Sequence, residues 1–177
     1  MLYGNPQLSG MEKTFHPDEI IVSKTNLAGK LTYANRTFYK LSGMSEKECI
    51  GKQHNIIRNP NMPRSIFDLL WKTIKGGEEI FAYVNNRSKN GDHYWVLAHV
   101  TPSQDNQGNI IGYHSNRRVP NKPVLNDKIV PLYQELLSIE KSSATPKEGL
   151  MNAYTRIDQL LNEYKMTFNE LMFAMDS

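Results

Sequence analysis

The densest run of chemically capable side chains is His54-Asn55-Ile56-Ile57-Arg58-Asn59-Pro60-Asn61-Met62-Pro63, directly ahead of an apolar helical stretch. A helix N-terminus presents unpaired amides and the positive end of the helix dipole. Arg58 beside one therefore forms an anion cradle suited to a phosphate or pyrophosphate. The same run also reads as an ordinary helix entry, with Asn61 as the cap and Arg58 in solvent. Asn86 closes the alternating face Ile80, Ala82, Val84. If that face points inward, a carboxamide stands in an apolar wall, where it costs about 1–3 kcal/mol if unpaired. A ligand with donors and acceptors satisfies it, as do backbone or water. Trp71, on the apolar helix face, is either a core residue or a stacking platform.

Other chemistries find less support. His54, His93, His99 and His114 are scattered without the paired spacing of a metal-binding helix. His93 and His99 share a strand face, but six residues separate them by about 20 Å. A single haem-ligating histidine stays open. Cys49, the one cysteine, reads as part of a short buried helix and excludes an internal disulfide. There is no Gly-x-Ser-x-Gly elbow, P-loop or dinucleotide fingerprint, and no acid/base pair arranged for turnover. Arg117-Arg118 ends a strand and reads as solvated, weak evidence for nucleic acid.

These residues need a frame. Ile20-Ile21-Val22, the Ala28-Gly29 turn and Leu31-Thr32-Tyr33 predict a hairpin. Phe38 and Leu41 mark a short helix closed by Gly43, and Ser45-Glu46-Lys47-Glu48 has capping-box spacing for another, ending near Gly51. Ile66, Phe67, Leu70, Trp71 and Ile74 give the Arg64–Lys75 stretch one apolar face, and Gly76-Gly77 ends it. The strand beginning at Ile80 is followed by Asn90-Gly91, a type I′ hairpin signal. Strands over His93 to Thr101 and Ile110 to Val119 flank a turn at Asn106-Gln107-Gly108-Asn109. Helices between a two-strand and a three-strand cluster mean α+β. Beyond Pro120, Ile129, Leu132, Leu136 and Leu137 mark an amphipathic helix. Boxes at Thr145-Pro146-Lys147-Glu148 and Thr167-Phe168-Asn169-Glu170 open two more.

The 177 residues, 39% hydrophobic and 22% charged, suit one domain with a helical appendix. The organisation predicted is a flexible leader over 1–18, a domain over 19–121 and a helical extension over 126–177, a hairpin plus a tail helix. No apolar window is long enough for a membrane span, and the N-terminus lacks a secretory layout. With a single cysteine, a cytoplasmic location follows. A net charge of +3 is too mild for a dedicated nucleic-acid binder.

Tyr33-Ala34-Asn35, His54-Asn55 with Arg58, Pro60, Met62-Pro63, and Lys89-Asn90-Gly91-Asp92-His93-Tyr94-Trp95-Val96 closely resemble the PAS sensor domain of bacterial aerotaxis (energy-taxis) receptors. The match runs from about Ile20 to Pro120. It implies a PAS fold, a five-stranded antiparallel sheet with helices on one face, with the C-terminal helical hairpin appended. It also implies FAD held non-covalently between sheet and helices as a redox or oxygen sensor. The family's pocket positions fall on Asn35, Arg58, Asn59, Asn61, Trp71, Ile80 and Asn86. The family usually has His where this chain has Asn59, Asp at Asn61 and Trp at Ile80. The resemblance is to a stand-alone PAS protein, non-enzymatic, signalling to a chemotaxis transducer or other signalling protein and able to form a homodimer. A cofactor-free interaction module and a haem-binding gas sensor are the alternatives.

Overall fold

The computed structural model describes residues 3–4 and 7–175. Strands β1 (Ile21–Asn26) and β2 (Leu31–Ala34) form the first hairpin. Helices α1 (Arg36–Ser42), α2 (Glu46–Cys49) and α3 (Arg64–Lys75) follow, and then β3 (Ile80–Arg87), β4 (His93–Gln104) and β5 (Ile110–Arg118). The antiparallel strands make one sheet in the order β2-β1-β5-β4-β3, so the two ends of the domain meet where β1 pairs with β5. Ile21, Phe38, Ile57, Ile66, Ile74, Ile80 and Ala82 form the core between the sheet and α1–α3.

Local chemistry explains each junction. Asn35 caps α1 by accepting from the Phe38 N–H, and Gly43 ends it in the left-handed region. Ser45 and Glu48 close the capping box of α2. The Asn90-Gly91 loop turns the β3–β4 hairpin, but not as type I′. Only Gly91 has positive φ there (97°), and its N–H bonds to the Ser88 carbonyl while the Ser88 N–H bonds to that of Asp92. This is the three-residue loop in which a type I turn is followed by one left-handed residue.

The described part of the leader is hydrogen-bonded to β4. β5 ends at Arg118, opposite Leu97 of β4, so the first residues of β4 lack a partner on that side. The leader supplies it: the His93 N–H donates to the Met11 carbonyl (2.9 Å), and the Lys13 N–H to the His93 carbonyl (2.7 Å). Ser9 adds a bond from its hydroxyl to Asp92 (2.6 Å). Backbone groups of β4 that need partners draw the segment in. Residues 1, 2, 5 and 6 of the predicted leader, and 176 and 177 of the extension, lie outside the described residues.

After β5, a short turn α4 (Lys122–Val124) runs through a π-helical turn (Leu125–Ile129) into α5 (Val130–Ser142). Helices α6 (Pro146–Tyr164) and α7 (Phe168–Ala174) complete the chain. They pack on their own domain, around the edge strand β3. The Tyr133 hydroxyl donates to the Tyr83 carbonyl (2.7 Å). Asn169 accepts from the Phe81 N–H (2.8 Å) and donates to the Glu79 carbonyl (3.1 Å). Met62 sulfur takes the Asn85 N–H at 3.3 Å. An edge that would otherwise offer free backbone groups for pairing is thereby covered.

Candidate functional site

Between α3 and the sheet lies a cavity of about 540 Å³, within the range of small-molecule sites. Alternation along β3 brings Val84 and Asn86 to its wall. The same parity brings Ala98 and Val100 from β4, Tyr113, Ser115 and Arg117 from β5, and Ser23 and Thr25 from β1. Phe67, Leu70, Trp71 and Ile74 of α3 face them. The exposed lining residues Leu27, Arg64 and Lys75 mark the mouth.

Arg117 sets the electrostatics of this wall. It is only 2% exposed, so its expected solvation is corrected here, whereas Arg118 is exposed. β5 alternates Tyr113, Ser115 and Arg117 inward, and the next residue necessarily points out. Arg117 donates to Ser115 Oγ (3.0 Å), to Ser23 Oγ and to His54 Nε2 (2.9 Å), and its guanidinium lies 5.6 Å from the Phe38 ring. No carboxylate pairs with it among the described residues, and Nη1 has no hydrogen-bond partner. Burial pulls its pKa down to about 10, which still leaves it protonated at neutral pH.

His54 must be neutral. Its Nε2 accepts from Arg117 and sits 3.0 Å from Ser23 Oγ, so the ring proton is on Nδ1. Burial, with the Arg117 charge beside it, holds its pKa near 3.

Of the residues singled out from sequence, the structure brings Arg58, Trp71 and Asn86 together in the lining. Arg58 is half-buried, with its guanidinium 4.6 Å from the Phe67 ring; burial, then the neighbouring Arg64, lower its pKa. Trp71 meets Tyr113 edge-on (5.6 Å), and Lys75 lies 5.7 Å from its ring. Asn86 is 4% exposed, and its carboxamide makes no side-chain hydrogen bond among the described residues. The other four lie outside the lining. Ile80 is in the core. Asn59 is buried and accepts from the Asn61 N–H (2.9 Å). Asn61 is exposed and does not cap α3, whose N-cap position is Pro63.

Asn35 accepts from the N–H groups of Val22 and Phe38 (3.1 Å each) and donates to the Ile20 carbonyl (2.7 Å). Asn35→Ala should therefore lower unfolding free energy by about 2–3 kcal/mol, as measured by urea denaturation.

The donor set fits a flavin. Arg117, Thr25 and Asn86 all line the cavity, and among the described residues Arg117 Nη1 and Thr25 Oγ1 are buried without hydrogen-bond partners. A flat heteroaromatic ring with one hydrogen-bonding edge satisfies such a wall, and Trp71 supplies an aromatic neighbour.

A sheet of this order under α1–α3, with a polar-lined cavity between them, defines a PAS domain, and the chain belongs to the PAS family: a family model described as PAS fold matches residues 31–117. Over 133 residues the chain is 38% identical to the aerotaxis receptor of Escherichia coli (strain K12), covering 75% of this chain and 26% of that one. It is 24% identical over 99 residues to a nitrogen fixation regulatory protein of Klebsiella pneumoniae, covering 56% and 20%. The chain thus spans about a quarter or less of these relatives. Among solved structures, the light state of the blue-light photoreceptor Aureochrome1 LOV matches with a TM-score of 0.57 at 20% identity, over 63% of this chain and 89% of that one. A PAS domain from Colwellia psychrerythraea matches with a TM-score of 0.53 at 18% identity, over 58% and 87%. No helix among the described residues is long and apolar enough to cross a membrane.

Proposed function

We propose that this chain is a cytoplasmic PAS sensor that binds FAD non-covalently in the cavity and signals redox or oxygen status to a chemotaxis transducer. The observation that carries this reading is Arg117, a buried cation that lines the cavity and has no carboxylate partner among the described residues. An interior charge of this kind calls for an electron-rich partner. Similarity to an aerotaxis receptor supports the role in energy taxis.

When bound, a flavin supplies reversible electron and proton uptake, which changes the charge and hydrogen bonding of its ring. Arg117 would stabilise negative charge arriving in the cavity, and the serines and His54 hold its guanidinium in place. Asn86 would orient the polar edge of the ring, and Trp71 and Tyr113 would limit water at one end. Arg58, with Arg64 near the mouth, would neutralise a phosphate or pyrophosphate. The site binds and reports; its groups are not arranged for turnover.

The test is absorbance of the purified protein and of the group released on denaturation. Flavin bands are expected, and Arg58→Ala or Asn86→Ala should each weaken flavin retention about tenfold or more, the loss of one or two charged or buried hydrogen bonds. A Soret band would replace this reading with the haem one. A colourless protein that takes up neither would leave the cofactor-free interaction module.

A further inference from the structure

The cavity helix α3 begins without a cap of its own. Pro63 stands at its N-cap position and supplies no side-chain acceptor, although the first amides of any helix need one. The acceptor comes from α5, 75 residues away in sequence. Glu140 receives the Arg64 N–H on one carboxylate oxygen (2.9 Å), and the Ser65 N–H (2.9 Å) and hydroxyl (2.7 Å) on the other. A carboxylate at this end of the helix is favoured by the dipole as well as by the bonds. One turn further along α3, the Tyr154 hydroxyl of α6 donates to Asp68 (2.6 Å), while Lys72 pairs with Asp68 (2.8 Å) and lies over the Tyr154 ring (4.5 Å). Between these two attachments, Leu150 of α6 belongs to the cavity lining.

The α5–α6 hairpin is held to this geometry by a close approach. A Cβ on Gly149 would stand 2.6 Å from the Glu140 carbonyl oxygen, so the helices touch backbone to backbone beside the capping residue. Glu140 and Leu150 are thereby set relative to one another, one on the end of α3 and the other in the cavity.

We propose that the C-terminal hairpin is a latch on the cavity: it walls the cavity with Leu150 and fixes α3 through Glu140 and Tyr154, so that its docking and the occupancy of the cavity are coupled. Glu140 is a positioning residue in this scheme. The coupling to a flavin rests on the function proposed above, whereas the capping of α3 does not. Linkage makes the effect reciprocal: if docking tightens the hold on a guest by some factor, the guest tightens docking by the same factor.

Amide hydrogen exchange on the full chain tests this, with FAD as the probe. In the flavin-free protein, Glu140→Ala should speed exchange in the first turn of α3 and along α5–α6 about tenfold, the loss of a charged cap. The β1–β2 hairpin should be unaffected, which separates uncapping from general destabilisation. Tyr154→Phe should give a smaller change of the same pattern, and Glu140→Gln should fall between wild type and alanine. FAD release should accelerate in Glu140→Ala, and saturating FAD should slow exchange in α5–α6 of the wild type by a matching factor. If α3 exchanges at the wild-type rate in Glu140→Ala, the latch is overturned. If FAD binds yet leaves α5–α6 exchange and its own release from Glu140→Ala unchanged, the coupling is overturned. Failure of FAD to bind the wild type would instead refute the flavin reading and the coupling with it, and the α3 exchange would still decide the capping.

Discussion

Arg117→Met is expected to weaken flavin binding about 30- to 100-fold while leaving the flavin-free protein at least as stable as the wild type. The first half follows from losing a charged, desolvated hydrogen-bond donor in the cavity wall, worth about 2–3 kcal/mol. The second follows from what the guanidinium does when nothing fills the cavity. Among the described residues it is a buried charge with no carboxylate to balance it, and one of its donors is unsatisfied. Replacing such a group by an apolar side chain of similar length is often neutral or stabilising. Ser23 and His54 still have each other, at 3.0 Å, once the arginine is gone. Flavin titration followed by fluorescence, together with thermal melts without flavin, separates the two effects. Arg118→Met, on the exposed neighbour, should change neither. If Arg117→Met unfolds readily but binds flavin normally when folded, Arg117 is a structural residue and its role in holding a flavin falls.

That central residue was hidden in the sequence for a definable reason. Arg117-Arg118 is a basic doublet at the end of a strand, and only the strand register tells which one faces inward. The parity was available: Tyr113, Ser115 and Arg117 fall on every second position, which gives a polar face to that side of the strand. Without the pairing of β5 to β1, nothing set that face opposite Ser23. Signals carried by near neighbours fared better. The spacing of Ile66, Phe67, Leu70, Trp71 and Ile74 gave both the extent of α3 and the side that lines the cavity. The boxes at Ser45 and Thr167 formed as their residue types require. The helix entry at Asn61 misled because its cap is supplied by Glu140, and no local pattern encodes an acceptor that distant. The contacts of the leader were equally hidden. Its hold on β4 is made by backbone groups, to which composition is blind.

His54 should make the protein acid-sensitive at a pH where carboxylates do not. In the folded state its Nε2 is occupied by the Arg117 donor, so protonation would break that bond and set two positive charges together at 2.9 Å. Its pKa is accordingly held near 3, against 6.5 for a free imidazole. Between those values the unfolded chain takes up a proton that the folded chain refuses, so stability is intact above pH 6.5, falls as pH drops below it, and levels off near 3. Taken whole, the shift corresponds to about 5 kcal/mol, and partial exposure of the residue reduces this to roughly 2–3. Glu48, held near pKa 2 chiefly by Lys89, gives up its contribution as pH falls from its ordinary value of 4.5 towards 2, below the interval in which His54 first acts. His114, also lowered by burial, acts in the same direction as His54, so the comparison has to be made with a variant. In His54→Gln the amide oxygen can accept from Arg117 at every pH. Urea denaturation at pH 7 and pH 5 should show the wild type losing about 1–2 kcal/mol more than this variant over that interval. Equal losses would mean that His54 is charged or free in the folded protein, contrary to the bond from Arg117.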